Sequence, residues 1–363
     1  MGGDPVSDDQ ADFRQSLRGF LAKASPESEV RRLMEAPVGF DPAVWQRMAV
    51  ELGLPGVAIP EAYGGQGFGG AELRLVVEEL GRVLYGGPYF ATVALGAELL
   101  LRLDDEQARA DVLPRIADGS VRTAVSLRGD LRARAGEDGT WVVDGTATHV
   151  VDAEAATLLL VVAETVDGVD VLAVDPAEAG VTVQPSPVLD PTRRQAVVRF
   201  GSAPARRLGR PGQAAAVVAR VRDQAMVALA AEQTGGAARA LELMVEHALT
   251  REQFGRPVGG FQAIKHLCAE RLLDVESMRS LVHAVDDTLD DDAFAVQART
   301  VRSFCSEAYF RVTATAVQVH GGIGFTWEHP IGLYFKRAKS SELLFDGPAT
   351  QREELIDHLL AAR

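Results

Sequence analysis

The sequence predicts a mainly α-helical protein with a β domain in its middle. Apolar residues recur at helical spacing in the first third, short runs rich in β-branched residues follow, and long helical patterns fill the remainder. We expect three domains: an N-terminal helical domain at 1–118, a small β-barrel or sandwich at 119–210, and a C-terminal four-helix bundle at 211–363.

In the first third, apolar residues lie three and four positions apart, as in Phe13, Leu17 and Leu21. A glycine-dense stretch from Val57 to Gly70 interrupts this pattern. It opens with an apolar run that ends in proline and leads directly into the next helical pattern. Its composition alone is that of a flexible connector.

The middle third changes to a period typical of strands. Its short β-branched runs are separated by Gly, Asp and Pro, which favours a small antiparallel barrel or sandwich. The strands expected are 123–126, 140–145, 157–162, 169–174, 181–183 and 196–200.

The last third returns to long helices. We expect them at 214–250, 262–289, 293–319, 330–344 and 351–360. Gly235 and Gly236 fall inside the first of these helices, where they predict the close approach of another helix.

Composition excludes some classes of function. A formal charge of −14 and a pI near 5.0 argue against a nucleic-acid partner, which needs a basic surface. A ligand that carries a nucleotide is still allowed, because a few local arginines suffice. Apolar runs such as Leu158 to Val162 are too short to span a membrane.

The N-terminal residues and the cysteines predict a cytoplasmic protein. Met1 to Val6 lacks the basic and apolar regions of a signal peptide, and Val6 breaks the myristoylation pattern. Cys268 and Cys305 fall in helical patterns without metal-ligand spacing, so we interpret them as reduced core thiols and expect no metal site.

Two motifs carry the chemistry. Arg251 stands before a turn made by Gly255, Arg256 and Pro257, where it can present a planar fork to a diphosphate. Far downstream, the segment Gln318-Val319-His320-Gly321-Gly322-Ile323-Gly324-Phe325 lets the backbone approach a ligand where a Cβ would block it. Either motif alone is also an ordinary helix end or turn.

Together, the two motifs and the order of the domains resemble the acyl-CoA dehydrogenase family over nearly the whole chain. The resemblance implies FAD as cofactor and oxidation of an acyl-CoA thioester to the trans-2-enoyl form. It implies that Arg251, Gln253 and Phe254 contact the diphosphate and adenine side of FAD. Gln318, Gly321 and Gly322 would line the path along which the FAD molecule extends.

The resemblance also extends to assembly and partners. Members of this family form dimers or tetramers because FAD is held across a subunit interface. An electron-transfer flavoprotein or another acceptor would remove the electrons. The glycine-dense stretch from Val57 to Gly70 resembles the part of the N-terminal domain that shapes the substrate-side wall.

The sequence departs from the family where the catalytic base is expected. The family places a Glu in a Tyr-Glu-Gly-Thr segment, whereas this chain has Phe345-Asp346-Gly347-Pro348. Asp346 matches if one extra residue is accepted after Ala338; otherwise it is a turn former or helix N-cap ahead of Gln351. The alternative position of the base on the preceding long helix corresponds to about Ala225, which cannot remove a proton.

Two other acidic residues and the loop after the first strand also bear on the site. Asp223 and Glu232 share that long helix, and their spacing indicates an ordinary solvated or capping role. The family loop that hydrogen-bonds flavin should follow Thr123–Ser126. The segment Leu127–Arg132 lacks its pattern, so Ser126 is the one flavin contact expected there.

Three hypotheses therefore stay open. The chain is one subunit of a heteromeric acyl-CoA dehydrogenase acting on a fatty acyl or steroid side-chain thioester, or a self-sufficient homotetramer with Asp346 as base, or a non-catalytic subunit that completes a partner's FAD site. A related flavin oxidase or monooxygenase on the same fold is a fourth alternative.

Overall fold

The computed structural model describes residues 8–136 and 140–361. The helices are α1 (Asp8–Ala24), α2 (Glu27–Glu35), α3 (Pro42–Val50), α4 (Gly70–Arg82), α5 (Glu98–Arg102), α6 (Glu106–Ala117), α7 (Ala214–Thr250), α8 (Gln262–His283), α9 (Asp291–His320), α10 (Ile331–Leu343) and α11 (Pro348–Ala361). The strands are β1 (Thr123–Ser126), β2 (Gly129–Ala135), β3 (Trp141–Val151), β4 (Leu158–Thr165), β5 (Gly168–Val174), β6 (Val181–Pro185), β7 (Gln195–Leu208), β8 (Glu252–Gln253) and β9 (Arg256–Pro257). The segment Met1–Val6, on which the signal-peptide prediction depends, lies outside the described residues.

The described residues form two compact units. One contains the residues up to Arg31 together with Arg74–Tyr85 and the chain from Met226 onward, and it is helical apart from one small hairpin. The other contains Arg32–Leu73 and Gly86–Ala225 and includes β1 to β7. The three domain boundaries proposed from the sequence stay a prediction.

A closed β-sheet forms the middle of the second unit. Its strands run in the order β1-β4-β2-β3-β7-β5, and β5 pairs again with β4, so the sheet closes on itself. Closure removes most free strand edges. The predicted mainly α fold with a small central β domain is confirmed, and the β domain is a barrel.

Strand β2 was not predicted from the sequence. Only Leu131 and Ala133 of this strand point into the barrel core, while Asp130, Arg132 and Arg134 are exposed. Alanine and charged residues are depleted in strands, so the segment carries no strand signal of its own. The strand forms because β2 pairs with β3 along its whole length.

Helix boundaries in the last third agree with the sequence analysis, with one correction. Helix α7 has the predicted bounds, but α8 ends at His283 and not near Leu289. The Asp286 carboxylate accepts hydrogen bonds from Thr288 N at 2.9 Å and Oγ1 at 2.6 Å, which builds a turn. The Asp290 carboxylate then caps α9 by accepting from Ala293 N at 2.9 Å.

Two glycines mark where neighbouring helices approach α7. A Cβ at Gly235 would overlap the carbonyl of Glu78 on α4, and one at Gly236 would overlap the Tyr309 hydroxyl on α9. The close approach predicted for Gly235 and Gly236 is therefore confirmed.

Gly235→Ala is expected to lower the free energy of unfolding by about 1–3 kcal/mol, because the added methyl group has no space against rigid backbone. Denaturant unfolding measures the effect. Gly19→Ala is the matched control: it lies on the exposed face of α1 with nothing within 4 Å of a built Cβ. It should stabilise α1 by about 0.5–1 kcal/mol. Equal effects of the two substitutions would contradict the close approach.

Candidate functional site

The arginine motif forms a tight β-hairpin directly after α7. Arg251 N donates to His247 O at 2.8 Å, and Val258 N donates to Arg251 O at 2.8 Å, so the backbone of Arg251 is held on both sides. Gln253 pairs with Arg256, and the two loop residues, Phe254 and Gly255, both have positive φ, at 54° and 75°. This is the geometry of a two-residue hairpin turn.

Phe254 is an unusual residue for that turn. A bulky residue at positive φ is rare, and such conformations cluster at functional sites. Its side chain is 91% exposed, and its ring meets Phe261 edge-on at 6.1 Å. The Arg256 guanidinium also lies over the Phe261 ring, 4.0 Å from its centre. Contacts with Phe261 thus stabilise the hairpin. The side chain of Arg251 is exposed.

The glycine motif forms the end of α9 and the turn after it. Gln318 is exposed in the last turn, and Gly321 ends the helix with φ of 63°, which glycine adopts readily. A Cβ at Gly322 would meet no described atom within 4 Å, whereas one at Gly324 would lie 2.8 Å from Val317 O. Packing against Val317 therefore explains why residue 324 is glycine. The surface beside Gly322 is open to a ligand.

The structure brings the two motifs together through a stack of three tilted imidazole rings, with interplanar angles of 35° and 55°. His247 lies one turn before Arg251, and its ring centre is 4.5 Å from that of His320, which immediately precedes Gly321. His320 in turn lies 4.3 Å from His329. His320 lies inside the glycine motif, but the sequence analysis assigned no role to any of the three histidines. In the sequence, three histidines near glycines and an arginine are only a weak indication of a site. The contact between their rings, which only the structure shows, is what distinguishes them.

Ser126 contributes a different observation, in the β unit. It is the last residue of β1 and is 4% exposed. Its hydroxyl has no hydrogen-bond partner among the described residues. A buried hydroxyl at this position is available to hydrogen-bond a ligand.

Asp346 lies in a tight turn between α10 and α11. Phe345 and Asp346 both have positive φ, at 57° and 67°, and the Asp346 side chain is half-buried. Gly347 O accepts the first hydrogen bond of α11 from Gln351 N at 3.2 Å, so Gly347 occupies the N-cap position and Asp346 precedes it. The turn-former interpretation fits this position; the N-cap interpretation does not.

Arg302 and Gln351 hold this turn in place. The Arg302 side chain is fully buried on α9 and donates to the carbonyls of Ser341, Glu342 and Leu344 at the end of α10. These are carbonyls that a helix terminus leaves without partners of its own. Gln351 Nε2 donates to Phe345 O at 2.8 Å. The position of Asp346 is therefore fixed by side chains that sequence reasoning did not identify.

The acidic residues on α7 need a correction. Asp223 and Glu232 were expected to be solvated or capping, yet they are only 5% and 7% exposed. Glu232 accepts a hydrogen bond from the Arg337 guanidinium of α10 at 2.8 Å. Because a buried carboxylate requires a charged or hydrogen-bonding partner, the pair explains how Glu232 is tolerated in the bundle.

The cysteines are not reactive groups in this arrangement. Cys305 is fully buried on α9, and burial raises the pKa of its thiol to about 12. Cys268 is only half-buried, so the expectation of two core thiols holds for Cys305 alone; burial also raises the pKa of the Cys268 thiol. Across 8–136 and 140–361, no group of three or more His, Cys, Asp or Glu side chains is arranged to hold a metal ion. No helix within those ranges has the length and apolar character needed to cross a membrane.

The helical unit presents an exposed arginine hairpin beside an open glycine turn, an arrangement that suits an anionic ligand. Two family descriptions match the chain: "Acyl-CoA dehydrogenase, N-terminal domain" over 7–120 and "Acyl-CoA dehydrogenase, C-terminal domain" over 217–357. Acyl-CoA dehydrogenase IpdE2 of Mycolicibacterium smegmatis is 34% identical, covering 96% of this chain and 98% of that protein. The chain belongs to the acyl-CoA dehydrogenase family, flavoprotein oxidoreductases that act on CH–CH groups.

Solved structures agree with this assignment. The ChsE4–ChsE5 complex from Mycobacterium tuberculosis contains a chain with a TM-score of 0.90 and 27% identity, covering 99% of both chains. A variant of the Tcur3481–Tcur3483 steroid ACAD gives a TM-score of 0.88 and 28% identity, also over 99% of both chains. Members of the family bind FAD.

Proposed function

We propose that this chain takes part in the FAD-dependent α,β-dehydrogenation of an acyl-CoA thioester, as one subunit of a hetero-oligomer with a second acyl-CoA dehydrogenase chain. The proposal depends on a contrast between the residues predicted to hold FAD and the segment predicted to hold the catalytic base. The residues predicted to hold the nucleotide part of FAD are exposed and preorganised on one surface. The expected Glu of the base segment is replaced by an Asp that lies one residue late.

The residues of the helical unit suit the nucleotide part of FAD. The Arg251 guanidinium can form paired, charge-assisted hydrogen bonds to a diphosphate. In this proposal Gln253 and Phe254 contact the adenine side, and the open surface at Gln318, Gly321 and Gly322 receives the rest of the dinucleotide.

In the β unit, the unpaired Ser126 hydroxyl suits the flavin as a hydrogen-bond donor. When bound, FAD supplies the acceptor for the hydride that leaves the β carbon of the substrate. The chain's own residues bind and orient it.

The proton from the α carbon needs a carboxylate base. We assign this role to the partner chain, because Asp346 has a shorter side chain than Glu and sits at positive φ in a turn fixed by Arg302 and Gln351. Two similar structures, Tcur3481–Tcur3483 and ChsE4–ChsE5, each name two different chains, which supports a heteromeric assembly.

The acyl group, the electron acceptor and the compartment are proposed from the resemblance to other acyl-CoA dehydrogenases. The acyl group is proposed to be a fatty acyl or steroid side chain, since a structure 28% identical to this chain is described as a steroid ACAD. An electron-transfer flavoprotein or another acceptor is the proposed oxidant of the reduced flavin. The cytoplasm is the proposed compartment.

Asp346→Asn in the assembled enzyme is expected to leave the rate of dehydrogenation nearly unchanged. Asparagine adopts positive φ readily, so the turn is preserved while the carboxylate is lost. Loss of a general base would cost about 10²–10⁴-fold in kcat. Asp357→Asn on the exposed face of α11 is the matched control. A loss on that scale for Asp346→Asn alone would replace the heteromeric proposal with the self-sufficient homotetramer.

The FAD-to-chain ratio tests the proposal as a whole. It is measured from flavin absorbance after the chain is purified alone and after co-expression with a neighbouring homologue. We expect FAD and acyl-CoA dehydrogenation to appear fully only in the co-purified complex. A ratio near one with activity in the chain alone contradicts the heteromeric part. FAD without activity in every combination favours the non-catalytic subunit.

A further inference from the structure

The three stacked histidines connect the two segments assigned to FAD: His247 precedes the first segment, His320 belongs to the second, and His329 follows it. His247 belongs to the last turn of α7, and its carbonyl accepts the hydrogen bond from Arg251 N at 2.8 Å. His320 is the last residue of α9, directly before Gly321. Any separation of these two rings therefore separates the arginine hairpin from the glycine turn.

Hydrogen bonds fix the proton positions in part of the stack. His320 is 5% exposed, and its Nδ1 donates to Ala316 O at 2.6 Å, which orients the ring. His329 Nδ1 accepts from Ile331 N at 3.2 Å, so this nitrogen carries no proton. With its remaining proton on Nε2, His329 is neutral in the stacked arrangement.

The charges around the stack oppose further protonation. Burial, His320 and Arg251 lower the pKa of His247. Burial, His320 and His247 lower the pKa of His329, and Arg31 adds to this effect while Glu27 opposes it.

Arg31 also fixes the loop that carries His329. Its guanidinium binds the Glu27 carboxylate at 2.8 Å and donates to Trp327 O at 2.7 Å and Glu328 O at 3.1 Å. The loop is therefore anchored just before His329 by a cation that also faces the ring.

We propose that His320, clamped between His247 and His329, is a positioning residue that holds the arginine hairpin and the glycine turn together as one nucleotide-binding surface, and that proton uptake by the outer two histidines opens this surface. The proposal rests on the assignment of these segments to FAD. A proton on His329 Nδ1 would remove the acceptor of Ile331 N, and the positive charges of His247 and His329, on either side of His320, would repel each other.

The direction of the pH dependence follows from linkage. A histidine whose pKa is lowered in the stacked state favours that state at pH values above its ordinary pKa of about 6.5. The advantage is lost as the pH falls through the lowered values. FAD affinity should be constant above about pH 7 and fall below about pH 6, by up to about tenfold per pH unit for each proton taken up.

The experiment measures the Kd of FAD from pH 5 to 8 in whichever form of the protein holds FAD, the chain alone or the co-purified complex. The wild type should bind FAD more weakly at low pH. The double variant His247→Gln/His329→Gln should bind with a flattened pH profile, because glutamine cannot take up the proton. His320→Ala should weaken binding even at pH 8. His358→Gln on α11, outside the stack, should behave like the wild type.

A second readout does not depend on FAD. Hydrogen–deuterium exchange at the histidine C2 position, followed by mass spectrometry, reports the pKa of each histidine. We expect His247 and His329 to titrate below the ordinary value and to move up toward it in His320→Ala. Unshifted histidines in the wild type, or an unchanged pH slope in the double variant, would overturn the inference alone. Failure to bind FAD at any pH, with or without the partner chain, would overturn the proposed function and with it the role of His320.

Discussion

Glu232→Ala is expected to lower the free energy of unfolding by about 3–5 kcal/mol, the largest effect on stability that we predict. The substitution removes the carboxylate that lies 2.8 Å from the Arg337 guanidinium. Arg337 is only 3% exposed, so water cannot readily replace the lost partner. Chemical denaturation followed by circular dichroism measures the change.

Two controls separate the cost of breaking this buried ion pair from other effects. Glu232→Met combined with Arg337→Met removes both charges and should recover most of the lost stability, because buried ion pairs are often replaceable by apolar side chains. Glu51→Ala breaks an exposed pair with Arg47 and should have little effect. A small loss in Glu232→Ala, or a double variant less stable than the single one, would contradict the prediction.

Arg251→Ala is expected to weaken FAD binding by about 10- to 100-fold, the largest effect on the cofactor that we predict. Hydrogen bonds to a charged group contribute about 1.5–3 kcal/mol, which corresponds to this range in Kd. The fold should be unaffected, because the hairpin is held by the backbone of Arg251 and by Phe261. Titration of the apo form with FAD, followed by flavin fluorescence, measures the change in whichever preparation holds FAD, the chain alone or the co-purified complex.

Arg352→Ala is the matched control for Arg251→Ala. It removes the same charge from α11, where Arg352 is paired with Glu307. Equal weakening by both variants would indicate a general effect of net charge. Full FAD content in Arg251→Ala would show that the diphosphate lies elsewhere.

Most of the fold could be predicted because its signals are local. The 37-residue helix α7 was predicted with its observed bounds, since its periodicity is long and uninterrupted. The end of α8 was misplaced because the side chains of Asp286 and Asp290 override helical periodicity. Strand β2 was missed because alanine and charged residues form a strand only when a neighbouring strand pairs with them.

The candidate site was likewise predictable from the sequence only in part. The sequence by itself determined the family and the segments predicted to hold FAD, Arg251 to Phe254 and Gln318 to Gly322, because each is contiguous and its glycines have local conformational reasons. Only the tertiary structure decided that these segments meet through the histidine stack, and that Glu232 is half of a buried ion pair. Its partner Arg337 lies 105 positions away, and no local pattern encodes the contact between residues so far apart.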